Sequence, residues 1–199
     1  MDNKLRADMW FPSIVWSTML EDVDNKALVD YANQLRSKDS VGQHHSNRTG
    51  YHSSYIENSN NNAYLQLLER IKSCVNECAK SVQLGNVKLS NIWFMINGKG
   101  AYNIPHTHPG SILSGVYYPY AIPGMGAFAF ERTDGAEHYL PTVPEPTPFN
   151  VGNWHYPSET GKLLIFPSWL RHHVEQNQID EERVSISFNF SSTREHQDA

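Results

Sequence analysis

Between Tyr64 and Val82 the apolar residues Tyr64, Leu67, Leu68, Ile71, Val75, Cys78 and Val82 fall at alternating steps of three and four, which draws one continuous stripe along a helix. Gly85 is placed to end that helix, because glycine takes the left-handed closing conformation without a steric penalty. The tract Asn60 to Asn62 supplies its cap. A shorter series, Leu28, Tyr31, Ala32 and Leu35, has the same spacing behind Asp24, whose side chain can accept from free amides at a helix start. Residues 36–62, dense in Ser, Asn and His, hold no sustained period and read as a long loop with one strand near Tyr51. A loop of that length often borders a binding mouth. Met9 to Trp16 looks extended.

Beyond Gly85 the pattern shifts to β-branched and aromatic runs broken by Gly, Pro and Asn, which predicts strands over 89–97, 111–120, 127–131, 162–166 and 183–191. Helices followed by strands argue for an α+β fold in which the helices cover one face of a sheet that curls into a barrel-like sandwich. Leu140 to Phe149 is rich in proline, which cannot complete a central ladder, so this stretch is expected as an exposed loop. The 199 residues suit one domain, with a helical part over about 20–85 and a β core over about 88–192.

Charge narrows the function. The net charge is −5 and the Lys and Arg residues are scattered singly, so broad nucleic-acid binding is not expected. Cys74 and Cys78 share a helix face, where a disulfide would strain the backbone, and are read as reduced packing residues of a cytoplasmic protein. No leader and no long apolar run is evident, so a soluble, unanchored chain is expected. No heptad pattern or apolar patch defines an oligomeric state.

Two segments carry the chemistry. In Asn103-Ile-Pro-His106-Thr-His108-Pro-Gly the histidines are one residue apart, so on an extended backbone both imidazoles leave the same face and can share a divalent metal. Such a pair is equally compatible with a surface role until a third ligand is found. The run from Gly161 to Val174 offers one, since an apolar strand ends at Phe166-Pro-Ser and delivers His172 just beyond. Eleven residues later Arg183 opens the strand Arg-Val-Ser-Ile-Ser-Phe-Asn, with Ser185 on the same face. A guanidinium grips a carboxylate with two parallel hydrogen bonds and stays charged. A surface ion pair with Glu181 or Glu182 is the plainer alternative.

The segments His-Thr-His-Pro-Gly-Ser-Ile-Leu-Ser-Gly-Val-Tyr-Tyr (106–118), Leu-Leu-Ile-Phe-Pro-Ser-Trp-Leu-Arg-His (163–172) and Arg-Val-Ser-Ile-Ser-Phe-Asn (183–189) together resemble the Fe(II)- and 2-oxoglutarate-dependent oxygenases, in particular the 2OG-Fe(II) oxygenase family of marine bacteria and cyanophages. The resemblance covers the chain from about Ser90 onward. It implies a double-stranded β-helix, a jelly-roll or cupin-like barrel with the helices packed on one sheet. It also implies Fe(II), 2-oxoglutarate and dioxygen as cofactor and cosubstrates. On that match His106 is the first ligand, His172 the distal one, and Arg183 with Ser185 the anchor of the cosubstrate's far carboxylate. The family's usual carboxylate at position 108 is replaced by histidine. His108 is kept as the second ligand, with Glu131 or Asp134 as alternatives.

Tyr118 shares the parity of Ser114 and Val116 while Tyr117 does not, so one tyrosine can face the barrel interior. By resemblance to prolyl-hydroxylase-like members, Tyr118 is expected to reach the cosubstrate carboxylate. Asn97, Tyr102 and Asn103 lie just upstream of the ligand pair and are expected to line the cavity. His173 should face away. Trp93, Phe94, Trp169 and Phe188 are assigned to sheet packing, and His44, His45, His52, His138, His155 and His196 to solvent, the first three in the loop that roofs the site. The implied activity is hydroxylation of an unidentified substrate with decarboxylation of 2-oxoglutarate to succinate. The resemblance favours a protein side chain such as proline over a small molecule or a nucleobase. Two rivals remain: a non-enzymatic metal-binding module on the same fold, and a three-histidine cupin dioxygenase that uses no 2-oxoglutarate.

Overall fold

The computed structural model describes residues 5–135 and 145–193. The first helix, α1 (Asn25–Lys38), starts where Asp24 accepts from the Ala27 amide at 3.0 Å. The second, α2 (Asn62–Ser81), is capped by Asn61, whose side chain accepts from the Tyr64 amide at 2.9 Å. Leu28 and Ala32 of α1 are buried with Leu67, Ile71, Val75 and Cys78 of α2, as the three-and-four spacing requires. Cys74 and Cys78 are both free thiols.

The strands are β1 (Trp16–Met19), β2 (Asn47–Arg48), β3 (Tyr51–His52), β4 (Val87–Asn97), β5 (Tyr102–His106), β6 (Leu113–Tyr120), β7 (Ala127–Glu131), β8 (Asn153–Pro157), β9 (Lys162–Pro167), β10 (His172–Val174) and β11 (Arg183–Ser192). They form a six-stranded major sheet in the order β1-β9-β6-β11-β4-β3 and a five-stranded minor sheet in the order β2-β5-β10-β7-β8. Every pairing is antiparallel. Two facing antiparallel sheets with such crossovers make a double-stranded β-helix.

Two apolar layers flank the major sheet. Outside, the helices pack on Ile92, Phe94 and Ile96 of β4, Tyr117 of β6 and Val184, Ile186 and Phe188 of β11. Between the sheets, Val116, Tyr118, Leu164 and Phe166 meet Phe128 and Phe130 of the minor sheet. Alternation along each strand therefore serves both layers at once. At Gly115 a side chain would run into the Phe188 ring and the Leu164 carbonyl, so the close approach of β9 and β11 to β6 depends on glycine there.

The five predicted strands are present with ends shifted by a residue or two. The long loop begins later than expected, since α1 runs on to Lys38, and the strand expected near Tyr51 is β3, with β2 just before it. Strands as short as β2 and β10 have too few residues to show a period, and pairing across the sheet is what makes them strands. The expected exposed loop Leu140 to Phe149 lies outside the described residues as far as position 144, as do His138 and His196.

Candidate metal centre

His106 closes β5 and His172 opens β10, and the two sit opposite each other across the ladder. His106 Nδ1 lies 2.7 Å from the Ile104 carbonyl and His172 Nδ1 lies 2.8 Å from that of Leu170. A carbonyl can only accept, so each Nδ1 carries the proton and each Nε2 presents its lone pair, the orientation of metal-ligating histidines. His108 differs from expectation. It lies beyond the end of β5, in a turn held by its amide donating to the Ser168 carbonyl at 2.9 Å, rather than on one strand face with His106. Its ring still arrives at the same point, with Nε2 3.2 Å from His172 Nε2.

One ligand atom from each of His106, His108 and His172 lies within 4.8 Å of the others. Burial pushes all three imidazoles toward the neutral form a metal requires, His108 down to about 4 and His172 well below the ordinary histidine value. Phe128 stacks on the His172 ring at 5.1 Å and Phe166 abuts it at 4.7 Å, fixing its plane. This donor set fits a divalent transition metal. The alternative carboxylates are engaged elsewhere: Glu131 accepts from Arg171 at 2.6 Å and pairs with His173 Nδ1 at 2.8 Å, and Asp134 accepts from Arg132 at 2.8 Å. His173 faces away from the cluster.

A cavity of about 470 Å³ opens between the sheets beside this cluster and reaches Arg183, Ser185 and Tyr118. Arg183 is 2% exposed, and its Nη1 donates to the carbonyls of Met125 and Gly126, the latter at 3.3 Å. The anticipated surface partners are taken, Glu182 by a two-pronged bond from Arg36 at 2.7 and 2.9 Å and Glu181 by the Tyr120 hydroxyl. Among the described residues no carboxylate pairs with Arg183. Beside it the Tyr118 hydroxyl is fully enclosed and has no hydrogen-bond partner among the described residues. Burial pushes that phenol up to about 12, opposed by the neighbouring guanidinium. A buried cation and a buried orphan hydroxyl at one end of a cavity are costly unless a ligand satisfies both.

Of the other residues expected at the cavity, Asn103 lines it, with its Nδ2 donating to Ser46 Oγ at 3.0 Å. Asn97 does not. It is buried beside Asn103 with its side-chain oxygen unpartnered. Tyr102 points instead to a more open groove of about 1000 Å³ on the outer face of the minor sheet, which His173 also lines. Phe94 and Phe188 do pack the sheet, but Trp169 is 58% exposed and Trp93 faces the cavity.

Trp93 stacks flat on His52 at 5.2 Å, and Tyr55 and His45 complete an aromatic mouth. His52 is buried, not solvent-facing, and burial holds it down to about 4. The parity of β4 and β11 is the signal that would have found this lining, since Asn91, Trp93 and Met95, and Arg183, Ser185, Ser187 and Asn189, each occupy alternate positions on the cavity face.

Residues 91–189 match a family model described as "Putative 2OG-Fe(II) oxygenase". The sheet-forming half of the chain belongs to the 2OG-Fe(II) oxygenases. Solved structures with the same fold include a Pseudomonas putida prolyl-4-hydroxylase, at TM-score 0.64 and 16% identity over 90% of this chain and 93% of that one. A viral collagen prolyl hydroxylase of Paramecium Bursaria Chlorella virus-1, in complex with 2OG, matches at TM-score 0.59 and 11% identity over 88% and 94%. HygX from Streptomyces hygroscopicus, with nickel, 2-oxoglutarate and hygromycin B bound, matches at 0.63 and 12% over 91% and 83%. No curated protein sequence matches the chain. Among the described residues no helix is long and apolar enough to cross a membrane.

Proposed function

We propose that this 2OG-Fe(II) oxygenase hydroxylates its substrate, with Fe(II) held by His106, His108 and His172 and the far carboxylate of 2-oxoglutarate held by Arg183, Tyr118 and Ser185. The observation that carries this reading is the buried Arg183, with no carboxylate partner among the described residues, across one cavity from three converging imidazoles. When bound, Fe(II) supplies the chemistry in which dioxygen converts 2-oxoglutarate to succinate and carbon dioxide while a substrate C–H becomes C–OH. Arg183 neutralises and orients the carboxylate, and the Tyr118 hydroxyl, which lacks any other partner among the described residues, donates to it. His106 and His172 keep their lone pairs inward because their Nδ1 protons are committed to main-chain carbonyls. Phe128 and Phe166 exclude water from the buried side of the centre.

A protein side chain, proline foremost, is the favoured substrate. Among the described residues the mouth is aromatic and carries no charged side chain, with Trp93, His52, Tyr55 and His45 around it, which suits an uncharged ring better than an ionic metabolite. Two solved structures of the same fold are prolyl hydroxylases. The test is metal analysis after anaerobic purification, followed by succinate formation on adding 2-oxoglutarate with proline-containing peptides. Iron together with succinate supports the reading, zinc without 2-oxoglutarate binding supports a metal-binding module, and dioxygen uptake without succinate supports a cosubstrate-free dioxygenase.

A further inference from the structure

The three histidines are not wired alike. His106 and His172 each face a carbonyl at Nδ1, which can only accept. His108 Nδ1 instead faces the amide nitrogen of Asn189 at 3.5 Å. That nitrogen also donates to Asn91 Oδ1 at 2.8 Å, and Asn189 Oδ1 accepts from the Ser114 hydroxyl at 2.7 Å. Ser114 in turn lies 2.8 Å from the Ser168 hydroxyl, and Ser114, Ser168 and Asn189 are all buried. An amide nitrogen can only donate, so in this arrangement His108 Nδ1 is the acceptor and the ring proton sits on Nε2. There it points at His172 Nε2, 3.2 Å away.

Every neighbour of Asn189 can exchange roles. Asn91 carries a carboxamide of its own, and the Ser114 and Ser168 hydroxyls each donate or accept as required. Turning the Asn189 carboxamide over would place its oxygen against Nδ1, draw the proton there and free the Nε2 lone pair, with Asn91 turning to donate and Ser114 turning to accept.

We propose that Asn189 is the positioning residue that sets the tautomer of His108, and so determines whether His108 offers the centre an N–H or a lone pair. The inference rests on the metal-centre reading of the histidine cluster. Asn189 presents nitrogen to His108, which bridges to His172. Occupation of the centre by a divalent metal requires the carboxamide to reverse, coupling metal binding to the Asn91–Asn189–Ser114–Ser168 network.

The test is ¹⁵N-histidine NMR of the wild-type protein without metal and after titration with Zn²⁺ alone, together with calorimetry of Zn²⁺ binding. Without metal, His106 and His172 are expected as Nδ1–H tautomers and His108 as Nε2–H, and Zn²⁺ moves His108 to Nδ1–H. Asn189→Leu removes both donor and acceptor and is expected to weaken Zn²⁺ binding about 10- to 100-fold, the usual effect of losing a partner behind a ligand. Asn189→Asp, which can only accept, places the proton on Nδ1 before metal arrives and tightens binding. Its gain disappears in a His108→Ala background. An Nδ1–H tautomer of His108 in the metal-free wild type overturns the proposal, as does an Asn189→Asp gain that survives His108→Ala. If Zn²⁺ binds but His108 keeps its Nε2 proton, Asn189 has no such role and a two-histidine centre stands. If Zn²⁺ does not bind at all, the metal-centre reading falls as well.

Discussion

The two faces of β4 and β11 carry opposite kinds of side chain. On the face toward the helices stand Ile92, Phe94 and Ile96 of one strand and Val184, Ile186, Phe188 and Phe190 of the other, all fully or nearly fully buried. On the opposite face of the same strands stand Asn91, Trp93 and Met95, then Arg183, Ser185, Ser187 and Asn189, lining the cavity. The backbone is common to both, and a shift of one residue carries a side chain from one role to the other. The outer face satisfies the demand for apolar burial so fully that the inner face can carry a cation, hydroxyls and carboxamides. Outer-face substitutions should therefore cost stability, and inner-face substitutions should cost binding while the fold survives.

The largest expected effect on the inner side is at the histidines. His106→Ala or His172→Ala should abolish metal binding, with far-ultraviolet circular dichroism unchanged, and calorimetric titration of either variant to a full equivalent of Fe(II) would remove the site assignment. Arg183→Ala should keep the metal yet lose about 3 to 5 kcal/mol of 2-oxoglutarate binding, two to three or more powers of ten in affinity. Arg183→Lys should recover part of it, since an ammonium restores charge without the planar fork. On the outer side, Phe94→Ala should lose about 3 to 5 kcal/mol of folding stability in denaturant melts. A Phe94→Ala protein that unfolds like wild type would break the division between the faces.

Acid provides a smaller test. His52 is held neutral by burial, at about 4 against an ordinary value of 6.5, so between those pH values the unfolded chain binds a proton that the folded chain refuses. Stability of the metal-free protein should begin to fall as pH drops through 6.5 and level off near 4, a loss of roughly 3 kcal/mol from this residue. Denaturant midpoints of wild type and His52→Phe at pH 7 and pH 4 read it directly, and equal losses in both would clear His52. Smallest is Tyr117→Phe, which removes the 2.7 Å bond from the tyrosine hydroxyl to Asn25 Oδ1 that ties β6 to α1. About 1 kcal/mol of stability should go with it, and 2-oxoglutarate affinity should not move.

How much of this was legible varies with how local each determinant is. The two helices and the five long strands follow from spacing, because the period of a buried face is written into consecutive residues, and the caps at Asp24 and within Asn60 to Asn62 follow from residue type. That Tyr117 and Tyr118 face opposite ways follows from parity for the same reason, while the choice of Tyr118 as the inward one came from the family resemblance. Trp93 illustrates the limit. Its residue type said only that it would be buried in a sheet, and the helix layer on one side and the open cavity on the other are what gave its face a function.

The sequence by itself therefore determined the two helices, the five long strands with their alternation of faces, and the pairing of a His-x-His segment with a later His and Arg, since these are properties of neighbours along the chain. The tertiary structure alone decided that His108 reaches the centre from a turn held by Ser168, that Glu131 is occupied by Arg171 and His173, and that Asn189 stands behind His108. It also decided that, among the described residues, no carboxylate pairs with Arg183, while the adjacent Glu181 and Glu182 bond to Tyr120 and Arg36. Each of these is a contact between residues tens of positions apart, fixed by how two sheets close on one another, and no period along the chain encodes that closure.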